Sequence, residues 1–200
     1  MRLTKQRIAI LASGSGSNAE QIIRHFIDSP WAEVAWVGSN GAANSAGIFE
    51  RTRTMGMETT AFSRRDLTEG RVTEMLVEAE IDWVVLAGFL MHIPESMIRE
   101  FPLRMVNIHP SLLPDFGGKG MYGLHVHRAV QDSGRTETGM TVHYVTEGYD
   151  EGEIVFQATC PIESGLEATA IAKKVQELEH AYFPKVIESL VRESLVNSPN

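Results

Sequence analysis

The strongest constraint on the fold is the alternation of apolar runs with helical segments along the first half of the chain. Arg7–Ser13, Glu33–Asn40 and Ile81–Phe89 are nearly continuous in apolar residues, which is typical of strands buried on both faces. Between them the apolar residues recur at helical spacing, as in Asn18–Asp28. This alternation predicts an α/β protein with a parallel sheet and helices on both faces. Further helices are expected at 45–56, 67–80 and 95–101.

The pattern changes after residue 109. Residues 110–123 are rich in glycine and proline and predict a long loop, a feature that is more often functional than idle. A helix at 124–134 follows. Thr138–Gly148 and Glu153–Ile162 read as two strands paired antiparallel, and the chain closes with a long helix that we expect to be bent or interrupted at Pro184.

Composition limits the class of protein. Two hundred residues with 43% hydrophobic content suit one domain, predicted here as residues 1–200. The net charge of −8 argues against nucleic-acid and anionic-membrane partners. Cys160 is the single cysteine, which fits a reducing compartment. The longest apolar stretch is too short to span a bilayer, and the apolar N-terminal run leads into a glycine loop instead of a cleavage site, so we expect a soluble cytoplasmic protein.

A glycine loop follows the first predicted strand. Gly14, Gly16 and Ala19 match the dinucleotide fingerprint, but the second strand ends in Ser39 and Asn40 and supplies no carboxylate for a ribose hydroxyl. The loop therefore favours a simple phosphate, held by N–H and hydroxyl donors of Gly16, Ser17 and Asn18 at a helix N-terminus. A tight turn without a ligand remains the alternative.

Two polar residues end a strand that otherwise reads as buried. Asn107 and His109 point to one face, where burial without partners would be costly. Ligands of open α/β sheets lie beyond the carboxyl ends of the strands, and the later turn around Asp150 can bring a carboxylate there. An amide, an imidazole and a carboxylate around a cleft suit acyl transfer, whereas a core histidine with satisfied hydrogen bonds is the structural alternative.

Covalent and metal chemistry are less favoured. Ser111 does not lie in a nucleophile elbow, and nothing marks Cys160 as activated. His125, His127 and His143 could in principle hold zinc, but no cysteine or carboxylate ligand is patterned with them, so we predict no metal.

Four segments together resemble the folate-dependent phosphoribosylglycinamide formyltransferases of purine synthesis: "ILASGSGSN", "DWVVLAGFL", "MVNIHPSLLPDF" and "GMTVHYVTEGYDEGEIVFQ". The resemblance runs from about residue 7 to about residue 187 with order and spacing kept. It implies a Rossmann-like, mostly parallel sheet with an antiparallel C-terminal strand pair. It also implies formyl transfer from 10-formyltetrahydrofolate, as co-substrate, to the amine of glycinamide ribonucleotide.

The resemblance also implies roles for particular residues. The family's catalytic residues fall on Asn107, His109 and Asp150, with Asp150 expected to keep the imidazole protonated. The family's other site residues fall on Gly16, Ser17 and Asn18 for the substrate phosphate, Glu179 for the acceptor amine, and Met91, His92, Ile93, Val145 and Asp150 for the folate. A monomer or homodimer is expected.

The chain departs from better-known members of this family in two places. Met91 stands where many members have arginine, although backbone contacts to the folate would survive that change. Its glycine-rich link before residue 124 is longer, and Lys119–Gly123 is predicted to form a mobile flap over the acceptor site; the alternative is that Lys119 is a plain surface lysine.

Rival functions remain open at this point. A formyltetrahydrofolate hydrolase uses a similar triad, but usually carries an extra N-terminal domain. A methionyl-tRNA formyltransferase needs an RNA-binding domain and a basic surface, which an acidic chain of this length does not suggest. A dinucleotide-dependent oxidoreductase is disfavoured, because this chain lacks the acidic residue that would bind the ribose. A non-catalytic phosphosugar-binding module would leave Asn107, His109 and Asp150 unexplained.

Overall fold

The structure is a computed structural model that describes residues 5–41 and 47–197. Its elements follow one another along the chain as β1 Gln6–Ala12, α1 Ser17–Phe26, β2 Ala32–Ser39, α2 Gly47–Thr54, β3 Thr60–Ala61, α3 Arg64–Thr68, α4 Arg71–Glu78, β4 Trp83–Leu86, α5 Glu95–Glu100, β5 Met105–His109, α6 Leu124–Asp132, β6 Glu137–Tyr144, β7 Ile154–Pro161 and α7 Ala168–Asn197.

All seven strands form one sheet in the order β3-β2-β1-β4-β5-β6-β7. The first five are parallel, β6 runs antiparallel to both β5 and β7, and β7 therefore points the same way as the parallel set. The chain leaves β1 in one direction for β2 and β3 and returns to the other side of β1 with β4, so the strand order reverses between β1 and β4. This reversal is where open α/β sheets form their ligand crevice. The predicted fold class is confirmed.

Alternating side chains of the central strands build two separate cores. Ile8 and Ile10 of β1 pack with α1, α2, α6 and α7 on one face, whereas Ala9 and Leu11 pack with α3, α4 and α5 on the other. Burial on both faces explains why the strands read as continuous apolar runs in the sequence.

The face of the sheet that carries Ala9 and Leu11 changes from apolar to polar toward the last three strands. Under β1, β2 and β4 it is apolar and covered by helices, but β5, β6 and β7 present polar side chains on it. The loop of residues 110–123 covers this polar face. Thr141 is the central contact, since its hydroxyl donates to the Ser111 carbonyl at 2.6 Å and accepts from the Leu113 N–H at 3.0 Å. Gln157 adds donors to the Leu113 carbonyl and to Thr141, both at 2.9 Å.

One local prediction was wrong. The single helix expected at 67–80 is two helices, α3 and α4, because Gly70 takes a left-handed conformation (φ 88°) between them. The last helix is not interrupted, since α7 runs through Pro184 as one 30-residue element. The helix expected at 45–56 is α2 in its described part, and its first two residues lie outside the described ranges. Within the described ranges, no helix is both long and apolar enough to cross a membrane.

Candidate active site

A cavity of about 670 Å³ lies beyond the carboxyl ends of β1, β4 and β5, at the point where the strand order reverses. We call it the central cavity. Its walls are the glycine loop, the segment after β4, the end of β5, the loop of residues 118–124, the β6–β7 turn (residues 145–153) and one side of α7. Every residue that the sequence analysis assigned to a site lines this cavity: Gly16, Ser17, Asn18, Met91, His92, Ile93, Asn107, His109, Val145, Asp150 and Glu179.

His109 and Asp150 meet in the wall of the central cavity. His109 is 3% exposed, and its Nδ1 lies 3.4 Å from Oδ2 of Asp150. Its other ring nitrogen, Nε2, lies 2.9 Å from the Phe116 carbonyl oxygen and so donates a proton to it. The Gly118 N–H donates to the same Asp150 oxygen at 2.9 Å. Two residues of the long loop therefore hold the imidazole and the carboxylate together.

Asn107 is held by a histidine on the adjacent strand. His143 lies directly opposite Asn107 in the antiparallel register of β5 and β6, and its Nε2 is 3.0 Å from Nδ2 of Asn107. Because Nδ1 of His143 lies 2.9 Å from the Tyr144 carbonyl, that nitrogen carries the proton, and Nε2 accepts from the amide. Nε2 is also 3.6 Å from Oδ1 of Asp150, which is too long for a hydrogen bond.

The environment shifts both titratable groups of the pair. Burial lowers the pKa of His109 below its ordinary value, and the Asp150 carboxylate and the Phe116 carbonyl oppose that shift without cancelling it. For Asp150 the largest effect is burial, which raises the pKa, but the contacts from His143, His109 and Gly118 together outweigh it and leave the pKa below its ordinary value. The Asp150 carboxylate thus favours the protonated imidazole and burial favours the neutral ring, whose proton lies on Nε2. That Asp150 keeps the ring protonated during the reaction stays a prediction.

The glycine loop is built for close backbone approach. Gly16 has φ 73°, and a Cβ added there would lie 2.7 Å from Cβ of Ile48, so only glycine fits. Helix α1 begins directly after it, with its first N–H groups free to meet an anion. Arg51 of α2 supports the loop through a 2.9 Å hydrogen bond from its Nε to the Ser15 carbonyl.

Polar side chains of α7 reach the first residues of α1. Nε2 of Gln176 lies 3.2 Å from the Ser17 hydroxyl oxygen, which leaves the hydroxyl proton available as a donor. Nδ2 of Asn18 donates to Oε2 of Glu179 at 2.8 Å. From the sequence Asn18 was counted among the phosphate-binding residues, and in the structure its side-chain amide donates to Glu179.

The predicted folate residues belong to two segments that line the cavity. Met91, His92 and Ile93 follow β4, and Val145 starts the β6–β7 turn. The two segments are joined by Nε2 of His92, which lies 2.9 Å from the Glu147 carbonyl. Leu90 is held in turn by its N–H, which donates to the Ser13 hydroxyl at 2.9 Å.

The histidines once weighed as a metal site do not form one. His143 is engaged with Asn107, His127 is buried on α6, and His125 lies exposed on the same helix, with its ring against that of Tyr122. Among residues 5–41 and 47–197, no group of three or more histidine, cysteine or acidic side chains has the geometry to hold a metal ion.

Sequence reasoning missed the most direct neighbours of the catalytic candidates. His143 was treated as a polar support residue, although its position opposite Asn107 follows once β5 and β6 are paired antiparallel. The backbone groups of Phe116 and Gly118 carry no side-chain signal at all, so no motif could have located them.

Comparison with known proteins assigns this chain and its fold to a group of acyl-transferring enzymes. The family model "Formyl transferase" matches residues 6–187, and the chain belongs to this family. A curated relative, phosphoribosylglycinamide formyltransferase of Arabidopsis thaliana chloroplasts, is 34% identical over 96% of the chain and 67% of its own length. A trifunctional purine biosynthetic protein of Drosophila pseudoobscura is 36% identical over 96% of the chain.

Solved structures agree with the curated relatives. The phosphoribosylglycinamide formyltransferase of Anaplasma phagocytophilum has a TM-score of 0.85 and 30% identity, covering 96% of this chain and 89% of its own. Glycinamide ribonucleotide transformylase 1 of Geobacillus kaustophilus has a TM-score of 0.83 and 33% identity, covering 94% of this chain and all of its own. The chain spans only 14% of the fly protein and about two thirds of the plant one.

Proposed function

We propose that this chain transfers the formyl group of 10-formyltetrahydrofolate to the amine of glycinamide ribonucleotide, in purine biosynthesis. The observation that carries the proposal is the convergence of Asn107, His109 and Asp150 on one cavity that also contains an anion-binding loop. Family membership supplies the reaction class, and the names of the relatives supply the acceptor. These names do not favour the hydrolase or the non-catalytic binding module.

The protein must stabilise the developing oxyanion, remove a proton from the amine and deliver one to N10 of the folate. The neutral amine attacks the formyl carbon, negative charge grows on the formyl oxygen, and the bond from that carbon to N10 of the folate then breaks. N10 must receive a proton, and the attacking amine must lose one. A donor to the developing oxyanion contributes a factor of about 10²–10³ in rate. The amide N–H of Asn107 that is not donated to His143 is the first candidate for this role.

His109 and Asp150 are proposed to manage the proton. Nε2–H of His109 donates to the Phe116 carbonyl. We infer that the formyl oxygen takes the place of this carbonyl as the acceptor when substrates bind. Asp150, ionised at neutral pH because of its lowered pKa, stabilises the positive charge that the ring gains if it accepts the amine proton through Nδ1. The proton is then passed to N10 of the leaving folate.

The two ends of the cavity suit the two substrates. The glycine loop at the α1 N-terminus would hold the phosphate of the acceptor, and Glu179 its amine. The segment from Met91 to Ile93 and the β6–β7 turn would enclose the folate. Binding energy from the phosphate end would orient the amine toward the formyl carbon, which is how remote contacts accelerate a reaction.

Other predictions stay proposals. Residues 1–200 are proposed as a single formyltransferase domain. A cytoplasmic location and a monomeric or homodimeric state are likewise predictions. The flap of Lys119–Gly123 is a prediction too; these residues line the central cavity, and Lys119 is the one lysine or arginine among the described residues that do so.

An absorbance assay for the folate product tests the function. Purified protein and 10-formyltetrahydrofolate are mixed with and without glycinamide ribonucleotide, and Asn107→Leu serves as the matched inactive control. Product that appears only with the acceptor supports the transferase. Product that appears at the same rate without the acceptor identifies a hydrolase, and binding of the acceptor without any turnover identifies a binding module; either result overturns the proposal.

A further inference from the structure

Asn18 connects the glycine loop to a carboxylate on the last helix. It is the second residue of α1 and Glu179 lies on α7, 161 positions later in the chain, yet Nδ2 of Asn18 is 2.8 Å from Oε2 of Glu179. Asn18 is 9% exposed, and its own carbonyl oxygen Oδ1 is buried with no hydrogen-bond partner among the described residues. The side chain is thus locked between two helices, with its only described hydrogen bond directed at the carboxylate.

This hydrogen bond acts on a carboxylate that its surroundings disfavour as an anion. Burial raises the pKa of Glu179, and the N–H donated by Asn18 opposes that shift. A donor to an ionised carboxylate makes a charge-assisted bond, which is stronger than a bond between neutral groups. Without it, more of Glu179 would be a neutral acid, which can neither attract a cationic group nor accept at both of its oxygens.

Other titratable groups nearby do not replace Asn18. Glu20 on α1 pairs with Arg51 on α2 and with Arg24. The pKa of His180, beside Glu179 on α7, is lowered mainly by burial, with further effects from Arg51 and Glu20. These groups interact with one another, and none of them bears on the pKa of Glu179.

We propose that Asn18 is a positioning residue for Glu179, not a side-chain ligand of the substrate phosphate. Its backbone N–H, at the start of α1, stays available to the anion, while its side chain holds the Glu179 carboxyl group at the cavity wall and favours its ionised form. One residue thereby fixes the distance between the two anchors of the acceptor, the phosphate loop and the carboxylate. The inference rests on the proposed function for the identity of the acceptor, but the state of Glu179 in the free protein can be tested without it.

The first test needs no substrate. Carboxyl ¹³C NMR titrations of the free protein follow Glu179, whose signal is assigned by its loss in Glu179→Gln. In Asn18→Ala the Glu179 titration midpoint is expected to move upward by about one pH unit, the shift of a hydrogen bond to a charged group. Gln176→Ala removes the neighbouring contact between α7 and Ser17 and should leave that midpoint in place. An unchanged midpoint in Asn18→Ala overturns the proposal.

The second test uses kinetics over pH 5.5–8.5. In Asn18→Ala the KM for glycinamide ribonucleotide should rise about tenfold below the new midpoint and approach the wild-type value at high pH. The values of kcat and of the folate KM should change by less than about threefold, and the increase in acceptor KM should vanish in a Glu179→Gln background. Inorganic phosphate, used as a competitive inhibitor, should bind Asn18→Ala and wild type equally.

Each outcome of this second test has a meaning. A tenfold weaker inhibition by phosphate would identify Asn18 as a phosphate ligand. A KM increase that is equal at every pH, or additive with that of Glu179→Gln, would identify Asn18 as a merely structural residue. Either result overturns the proposal. If Asn18→Ala does not fold, Asn18→Ser keeps a small hydroxyl and is measured in the same way. Wild-type protein without acceptor-dependent turnover would instead refute the proposed function, while the NMR result would still decide the role of Asn18.

Discussion

Nε2 of His143 lies 3.0 Å from Nδ2 of Asn107, across the antiparallel pairing of β5 and β6. The other nitrogen of the ring is committed to the Tyr144 carbonyl, so the tautomer is fixed and Nε2 can only accept. One N–H of the Asn107 amide is therefore used on His143, and the amide cannot turn over without placing two acceptors against each other. This fixes the plane of a group that we propose to stabilise the formyl oxygen.

The first prediction concerns this pair. Asn107→Ala should lower kcat by about 10²–10³ because it removes an oxyanion donor. His143→Leu should lower kcat by a smaller factor, about tenfold, because it frees the amide without removing it. The double variant should be no slower than Asn107→Ala, since His143 acts through Asn107. Steady-state kinetics of the four proteins measure this, and losses that multiply would show that His143 acts independently.

The second prediction concerns Asp150. Asp150→Asn keeps the size of the side chain but removes the charge next to Nδ1 of His109, so kcat should fall by about 10²–10⁴, the usual range for general acid–base groups. The KM for the acceptor should change by less than about threefold. Asp115→Asn is the matched control, because Asp115 is an exposed carboxylate of the long loop of residues 110–123, paired with Arg135. Equal losses in kcat and acceptor binding would indicate that Asp150 is structural.

The fold was predictable because its main signal is physical and local. β1 and β4 are buried on both faces, so their sequences are continuously apolar, and strand–helix alternation then leaves few topologies. The break at Gly70 was missed because the helical spacing on either side continues through it, although Gly70 itself leaves the helical conformation. Pro184 does not interrupt α7, because the packing of Phe183 and Ile187 in the core stabilises the helix on both sides of the proline.

The candidate site was predictable only in part. Asn107, His109 and Asp150 were identifiable because polar residues at strand ends and turns stand out against an apolar pattern. The orientation of their side chains was not, since it depends on long-range contacts such as that between Gly118 and Asp150. The burial that opposes protonation of His109 was not predictable either, because no motif encodes how deeply a side chain is buried.

A third prediction tests how the long loop is attached to the sheet. Thr141 is fully buried and its hydroxyl satisfies the Ser111 carbonyl and the Leu113 N–H. Thr141→Val has the same shape but leaves both backbone groups unpaired, so unfolding free energy should fall by about 1–3 kcal/mol. Thr138→Val is the matched control on the same strand, because the Thr138 hydroxyl is buried without a partner among the described residues, and its replacement should be neutral or stabilising. Urea unfolding measures both; equal losses would contradict the role of Thr141.

The fourth prediction is a dependence of stability on pH that arises from His127. This side chain is 5% exposed on α6, and burial, with a smaller contribution from the charge of His109, lowers its pKa from 6.5 to about 4. The unfolded chain binds the proton near pH 6.5 and the folded protein only near pH 4, so the unfolded state carries more protons throughout this window. Stability is therefore fully present above pH 6.5 and decreases as the pH falls toward 4.

Urea unfolding of the wild type and of His127→Gln at several values between pH 7 and pH 5 separates this effect from others. His127 should account for a loss of about 2 kcal/mol over that interval, which the variant lacks. Because the pKa of His109 is lowered as well, the variant should keep part of the slope. His125→Gln, at an exposed position on the same helix, should retain the wild-type slope. The slope of unfolding free energy with pH is compared, since replacing a buried side chain lowers stability at every pH. A His127→Gln slope equal to that of the wild type would contradict the prediction, because it would mean that His127 takes up its proton in the folded protein.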